Sequence, residues 1–556
     1  MNRIDELQNG LSKKLERYKR QFLSLYLCAA AVYLPLIVLR LTNDMDGMWD
    51  QDDHLTGAAE LRMGRWFWVV LDKIRGNVSL DPLPALVSLA VFTIGVLFLF
   101  SLLQIDPQTK REKAAAWIAG MLILCAPTVL CQLSYSHMSI NDSVSFLLAV
   151  LAVWVVRKKA FAATVALSAL LVALMMGGYQ ASLGVTCMAA LFAFLFLLRE
   201  KEKATEALRF AGQMLAALVA GALLYEIVWQ AALAITGETM SDYNGADAVS
   251  LSGMLTSLPS SVKHTFSSFS FFFGRNGYHY NLMQSKGWFL LIYLMPLAGA
   301  GYFVWRLWRK RSWQRAVLGI CSFLLIPIFA NSVFLVAVSA ETMMQMTMGM
   351  VMVWPLMLCL MVFGESAPEN EEQNEEKNEE NKTREMNQQI EDRAASTAAG
   401  KGRLLRTAAG LVFAFVLYGM IGQNLVDQYA MYAGRRATQT LAQQILNEWN
   451  LAGVDYTENV VMVYGVPNQS PLFVRSELYE KANSYAKYGT FATTTEGNRL
   501  CWFHYFEQQL RLNVNYAEGD TLETIYNSSE VAAMPVFPAA GSTANVWGVT
   551  VVKVSE

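Results

Sequence analysis

What most limits the folds open to this chain is a succession of long apolar runs separated by short charged loops. The runs fall at roughly 22–40, 82–104, 114–133, 142–156, 160–177, 181–198, 210–236, 287–305, 315–338, 343–363 and 404–422. Each is near the length that the hydrocarbon core of a bilayer demands of a helix. Backbone polar groups find no water in lipid and must be satisfied within the segment, so such runs are expected to be helices. The runs at 142–156 and 160–177 are short enough to lie less tilted than the others or to be partly re-entrant. Only 16% of the residues are charged and 54% are hydrophobic, whereas a soluble chain carries nearer a quarter charged. The expected fold is therefore an all-α polytopic membrane protein with about 11 transmembrane helices, followed by a small C-terminal α/β domain.

Basic residues set the orientation. Residues 1–21 are polar and include Arg3, Lys13, Lys14, Arg17, Lys19 and Arg20, so the first run reads as a signal anchor rather than a cleaved signal. Lys110, Arg111 and Lys113 follow the second run, Arg157, Lys158 and Lys159 the fourth, Arg199, Lys201 and Lys203 the sixth, and Arg306, Arg309 and Lys310 the eighth. The alternate short loops at 134–141, 178–180 and 339–342 contain no Lys or Arg. That alternation predicts a cytoplasmic N-terminus and an extracytoplasmic C-terminal domain.

Three longer segments interrupt the spans: outer loops at 41–81 and 237–286, and a low-complexity acidic stretch at 364–403. The second loop carries Phe266, Phe269, Phe271, Phe272 and Phe273, which fit either an interfacial helix or an aromatic belt. The acidic stretch is too poor in apolar residues to fold and reads as a disordered cytoplasmic linker ahead of the last span, 404–424. Within 425–556, Tyr429–Trp449 reads as an amphipathic helix, and Asn459–Tyr464 and Val546–Val554 as strands. The cysteines give no disulfide framework, because Cys501 is the only one in the C-terminal segment and the other six lie in or beside apolar runs. The net charge of −2 averages the acidic linker against basic loops and supports no nucleic-acid partner.

The chemistry-bearing residues crowd the first outer loop. Asp44, Asp46, Asp50, Asp52 and Asp53 precede Gly64-Arg65-Trp66. Mutual repulsion can raise one such carboxylate into the range of a useful base, and a solvated acidic loop fits the same composition. Tyr135-Ser136-His137 opens the next outer loop, Gly178-Tyr179-Gln180 forms the third, and Glu341 sits in the fourth. All five histidines fall on the outer side without metal-ligand spacing and read as exposed loop residues. Glu226, inside the seventh run, lies either near the outer interface or toward a polar cavity.

Asp52-Asp53 ahead of Gly64-Arg65, with Tyr135-Ser136 at a span start and Gly178-Tyr179-Gln180 between spans, resembles the Gtr type II family of bacterial glucosyltransferases. The resemblance covers the span region to about residue 360 and, loosely, the outer domain; the acidic insertion at 364–400 departs from it. It implies membership of the GT-C superfamily, whose members keep a catalytic Asp or Glu in the first outer loop. It also implies a hexose, glucose first, taken from a polyprenyl-phosphate carrier and given to a cell-surface glycan or glycolipid at the bacterial plasma membrane. Asp53, with Asp52 as partner, is then the expected catalytic base. Arg65, Lys263 and Arg275 are the candidate phosphate-facing cations, and Tyr135, Tyr179, Gln180 and Glu341 complete the candidate substrate-binding set. No cofactor is assigned, and a divalent cation is left open. The rival reading is a lipid or glycan transporter or flippase, whose signatures would be mid-membrane charges and internal repeats.

Overall fold

The computed structural model describes residues 2–42, 57–77, 81–158, 162–200, 204–241, 251–273, 286–309, 312–335, 342–363, 381–487 and 501–556. It is mostly helical. Helices α1 (Asn2–Val32), α2 (Leu34–Leu39), α3 (Ala58–Arg62) and α4 (Trp66–Ile74) lead into α5 (Leu83–Leu102), α6 (Lys110–Leu124), α7 (Pro127–Ser134), α8 (Ser139–Lys158) and α9 (Ala162–Gly178). Then come α10 (Leu183–Glu200), α11 (Ala204–Thr236), α12 (Leu251–Phe273), α13 (Lys286–Arg309), α14 (Trp313–Leu324), α15 (Ile326–Ala330), α16 (Met348–Val351) and α17 (Val353–Val362). The long α18 (Asn381–Leu451) is followed by α19 (Glu477–Glu480), α20 (Ser484–Lys487) and a small sheet.

Among the described residues, five helices are long and apolar enough to cross a membrane, or six if the bent pair α6–α7 is one span. Several of the eleven apolar runs are shorter or broken, and two of the breaks coincide with a proline. Pro127 and Pro327 each sit at the start of a new helix, so the expected spans 114–133 and 315–338 are each interrupted, the first with a bend of 43°. A proline lacks the N–H that would continue the ladder and its ring crowds the carbonyl four residues back. Helix α5 packs beside α8, α8 beside α9, and α9 beside α11. The outside of α11 is apolar: Leu215, Val219, Leu223 and Ile227 are all more than half exposed, at 53–65%. A water-soluble surface rarely carries such a row.

The breaks expose backbone groups, and α18 satisfies them. At the α1–α2 break the Leu36 N–H donates to Gln428 Oε1 (3.0 Å), while Gln428 Nε2 donates to the Val32 carbonyl (3.0 Å). The side-chain amide is thus inserted where an N–H(36)···O=C(32) bond would otherwise be. At the α6–α7 break, Asn424 Nδ2 donates to the Cys125 carbonyl (2.7 Å) and the Tyr33 hydroxyl to the Leu124 carbonyl (2.6 Å). Gln423, Asn424, Asp427 and Gln428 are all buried, at the i, i+1, i+4, i+5 spacing that puts them on one helix face.

Helix α18 also runs without a break from the last apolar run through the expected amphipathic helix, so no helix boundary falls at 424–425. Its first turns take in residues 381–403, so the linker expected to be disordered is helical there; 364–380 lie outside the described residues. Beyond it, β1 (Val461–Tyr464), β2 (Thr543–Val546) and β3 (Val549–Lys553) form a sheet of order β1-β3-β2. β1 is parallel to β3, and β2 is antiparallel to it. Trp449, Trp502, Phe506, Val461 and Val551 build a core there that is separate from that of the bundle. Tyr479, Ala482 and Ala486 belong instead to the bundle core, so α19 and α20 fasten the two parts together.

Replacing Gln428 by Leu should strand two buried backbone groups at a cost of about 1–3 kcal/mol each. The expected result is a clearly lowered thermal midpoint of the purified protein in detergent, with no change for Leu at exposed Gln443 on the same helix.

Candidate active site

The Gly-Arg pair sits in the corner between α3 and α4. Gly64 has a φ of +82°, and a Cβ there would overlap the Tyr225 hydroxyl and press on Gln180. Only glycine takes that backbone and that contact together. The corner is clamped from two sides. Gln180 Nε2 donates to the Met63 carbonyl (2.9 Å) and to the Tyr225 hydroxyl (3.2 Å). Trp229 Nε1, one turn along α11, donates to the Leu61 carbonyl (2.7 Å).

Arg65 follows, with its guanidinium 4.7 Å from the Trp68 ring centre and 6.0 Å from that of Tyr179. A cation held over aromatic faces keeps its charge available at low reorganisation cost. The ring of Trp66 lies where a Cβ on Gly177 would be, and Ser145 occupies the same position relative to Gly178. Gly64-Arg65-Trp66 and Gly177-Gly178-Tyr179-Gln180, far apart in sequence, are therefore packed into one unit.

A buried polar layer adjoins it. Asp72, fully buried, pairs with Arg75 (2.9 Å) and accepts from Asn141 Nδ2 (3.2 Å). Arg75 also donates to the His137 carbonyl (2.6 Å), so the α7–α8 turn is held to α4. Asp142, the next residue along the first turn of α8, is 1% exposed. Both of its carboxylate oxygens lack a hydrogen-bond partner among the described residues, and Arg65 is the charge acting on it. Tyr135 is buried with Trp68, Cys131, Met138 and Met344, and Tyr485 of α20 packs against that cluster. Asp427 holds Tyr485 there: it accepts from the Tyr485 hydroxyl (2.8 Å), from the Asn483 backbone (2.8 Å) and side chain (2.9 Å), and from Gln423 (2.8 Å).

Of the residues expected from sequence, Arg65, Tyr135, Tyr179 and Gln180 come together around Trp68 and the Gly64 corner. Lys263 does not join them. It is exposed on α12, which packs on α15 and the turn at 332–335. Asp52, Asp53, Arg275 and Glu341 lie outside the described residues, as do Asp44, Asp46, Asp50, His54 and His279. His137 is 5% exposed rather than an exposed loop residue, because the Arg75 bond draws its turn inward. His264 is partly buried, with its ring 4.4 Å from that of Phe334. Glu226 is exposed on α11, where Gln230 donates to it (2.8 Å). Among the described residues no group of three or more His, Cys, Asp or Glu side chains is placed to hold a metal.

Sequence reading passed over Asp72, Asn141, Asp142 and Asp427. For Asp142 the available signal was a carboxylate at the edge of an apolar run, where a charge is costly unless it works; Asp72, Asn141 and Asp427 lie outside the runs and carry no such signal.

The Gly64 corner gives a direct test. Gly64→Ala should lower the thermal midpoint, through both the overlap with the Tyr225 hydroxyl and the positive φ. Adding Tyr225→Phe removes the overlapping oxygen and should restore part of the loss, leaving about 1–2 kcal/mol for the backbone strain. No recovery in the double variant would mean that the corner is not packed as described.

Comparison with curated proteins and with solved structures gives no match. The family model described as Glucosyl transferase GtrII matches residues 42–361. That stretch is more than half of the chain and takes in the Gly64-Arg65 corner, Tyr135, Asp142 and the Gly178-Tyr179-Gln180 turn, so the chain belongs to the GtrII family of glucosyl transferases.

Proposed function

We propose that this glucosyltransferase takes glucose from a polyprenyl-phosphate carrier and passes it to a cell-surface glycan or glycolipid at the outer face of the bacterial plasma membrane. The observation that supports the reading is the packing of Gly64-Arg65 against Tyr179-Gln180 around the Gly64 corner. This places Arg65 at one end of the bundle. Helix α8 starts there and ends at Arg157-Lys158, and α10 starts there and ends at Arg199. Basic residues therefore collect at the far end, which the positive-inside rule assigns to the cytoplasm.

Nucleotide sugars are absent outside the cytoplasm, so an outward site needs a donor delivered by the membrane. A cavity of about 220 Å³ between α12, α13 and α15, lined by Phe269, Phe273, Tyr293, Leu297 and Trp354, is apolar enough for part of an isoprenoid chain. Tyr293 and Leu297 are also exposed on the outside of the helices, which suits entry from the side.

In the reaction proposed, the acceptor hydroxyl oxygen attacks the anomeric carbon of glucose and the carbon–oxygen bond to the carrier phosphate breaks. Asp53, with Asp52 beside it, takes the hydroxyl proton, and Arg65 faces the departing phosphate. Asp→Asn keeps the shape and removes the basicity. Asp53→Asn or Asp52→Asn should therefore lower transfer from polyprenyl-phosphate glucose by purified protein about 10²–10⁴-fold, with an unchanged thermal midpoint. Wild-type rates in both single variants and in the double variant would move the base to another residue.

A further inference from the structure

A cleft of about 690 Å³ opens between α1 and α6, at the end of the bundle away from the Gly64 corner. Hydrogen bonds from α5 to α8 fix which end this is. Ser88 at the start of α5 bonds to Ser139 at the start of α8 (3.2 Å), and Ser101 in the last turn of α5 accepts from the Trp154 indole near the end of α8 (3.1 Å). Phe100, beside Ser101, lines the cleft, which therefore lies at the end marked by Arg157. Its floor is where Leu25 of α1 lies on Gly120 of α6, in the space a side chain would take, with Phe100 next to it.

The walls are graded. Arg17, Arg20, Ser24 and Leu25 line the cleft from α1. They follow the i, i+3, i+7, i+8 spacing of one helix face and pass from charged to apolar over about 12 Å. From α6 come Lys113 at the mouth and Trp117 one turn deeper. Indole rings gather at the level where a bilayer changes from headgroups to hydrocarbon. Three cations at the mouth meet two carboxylates. Arg20 Nε donates to Glu16 (3.1 Å), Arg17 is paired with Asp106, and the Lys113 ammonium has no partner among the described residues.

We infer that this cleft holds an anionic phospholipid, its phosphate on Lys113 and Arg20 and the upper part of an acyl chain on Leu25, Phe100 and Trp117. The lipid comes from the leaflet at that end, the cytoplasmic one by the positive-inside rule. Basic pockets between membrane helices on that side bind anionic headgroups. Clefts of about 300–1,000 Å³ take ligands of drug size, which suits a headgroup with its first chain carbons; a free phosphate would leave the apolar floor unfilled. A zwitterionic headgroup would bring a cation of its own to Lys113. A long isoprenoid finds no track, because Leu25 closes the cleft about two turns of α1 below Arg17. Such a lipid would bind whatever sugar the far end transfers. It would brace α1 against α6, and α1 is followed by Tyr33, which serves the α6–α7 break.

The test uses the full chain, purified in a neutral detergent and stripped of lipid, with the thermal midpoint as readout. Dioleoyl phosphatidylglycerol should raise the wild-type midpoint by several degrees. Dioleoyl phosphatidylcholine should raise it much less, and high salt should shrink the gain. Arg20→Gln with Lys113→Gln should lose the gain and leave the lipid-free midpoint nearly unchanged, since both side chains are exposed. Ser24→Trp, which fills the cleft, should lose it as well. Arg209→Gln with Arg309→Gln removes the same charge from the same end of the bundle, outside the cleft, and should keep the gain. Equal gains from the two lipids in the wild type, a full gain in the Arg20–Lys113 variant, or the same loss in the Arg209–Arg309 variant overturns the assignment. So does an equal gain from glycerol 3-phosphate, which would mean a site for a free anion, or a larger one from polyprenyl phosphate, which would give the cleft to the carrier lipid.

Discussion

A single side-chain amide occupies the place of a backbone hydrogen bond in this protein, and much else follows from it. Gln428 takes the Leu36 N–H and gives to the Val32 carbonyl, closing a ladder that the α1–α2 break has opened. Asn424 and Tyr33 do the corresponding work at the α6–α7 break. In lipid there is no water to do it, so an interrupted helix is stable only where a neighbour supplies the missing partners. The kinks are therefore conditional on α18 being in register with both of them. Sliding α18 by one residue would turn its polar face away and leave carbonyls bare on two helices together.

The same constraint shapes the candidate site. Its residues sit at helix starts and corners, where backbone direction changes and side chains from several elements reach one point. The Gly64 corner exists because Gln180 and Tyr225 occupy the space a side chain would take. The tight approach of Trp66 to Gly177 then fixes the direction from which Arg65 leaves α4. Asp427 contributes from outside the matched region. It holds Tyr485 against the Trp68–Tyr135 cluster, so the chain after the last apolar run packs against the elements that carry Arg65 and Tyr135.

Hydropathy made the helical, membrane-type architecture legible, because a run of apolar residues carries its own signature. It could not show where the runs break, since a proline acts on the carbonyl four residues earlier and leaves the average hydropathy unchanged. It also set a boundary near residue 424 where the backbone continues as one helix, because composition changes there and conformation does not. Gly64-Arg65 and Gly178-Tyr179-Gln180 stand out in the outer loops and again through the resemblance, and they meet in space. Asp142 was passed over because it opens an apolar run and looks like a loop residue of that run. Its unpartnered oxygens are a tertiary fact. Lys263 stands out by charge and side of membrane only, and neither says which way a helix faces.

The unbroken α18 has a mechanical consequence. One rod carries the amides that mend the kinks, the carboxylate that anchors Tyr485, and, at its far end, Trp449 in the core of the sheet. There is no joint between them at which a disturbance could be absorbed. A molecule gripping the sheet would therefore twist or tilt the whole rod, and the first bonds to feel the torque would be those that hold Tyr485 to the Trp68–Tyr135 cluster. Load on the C-terminal sheet is in this way felt inside the helical bundle.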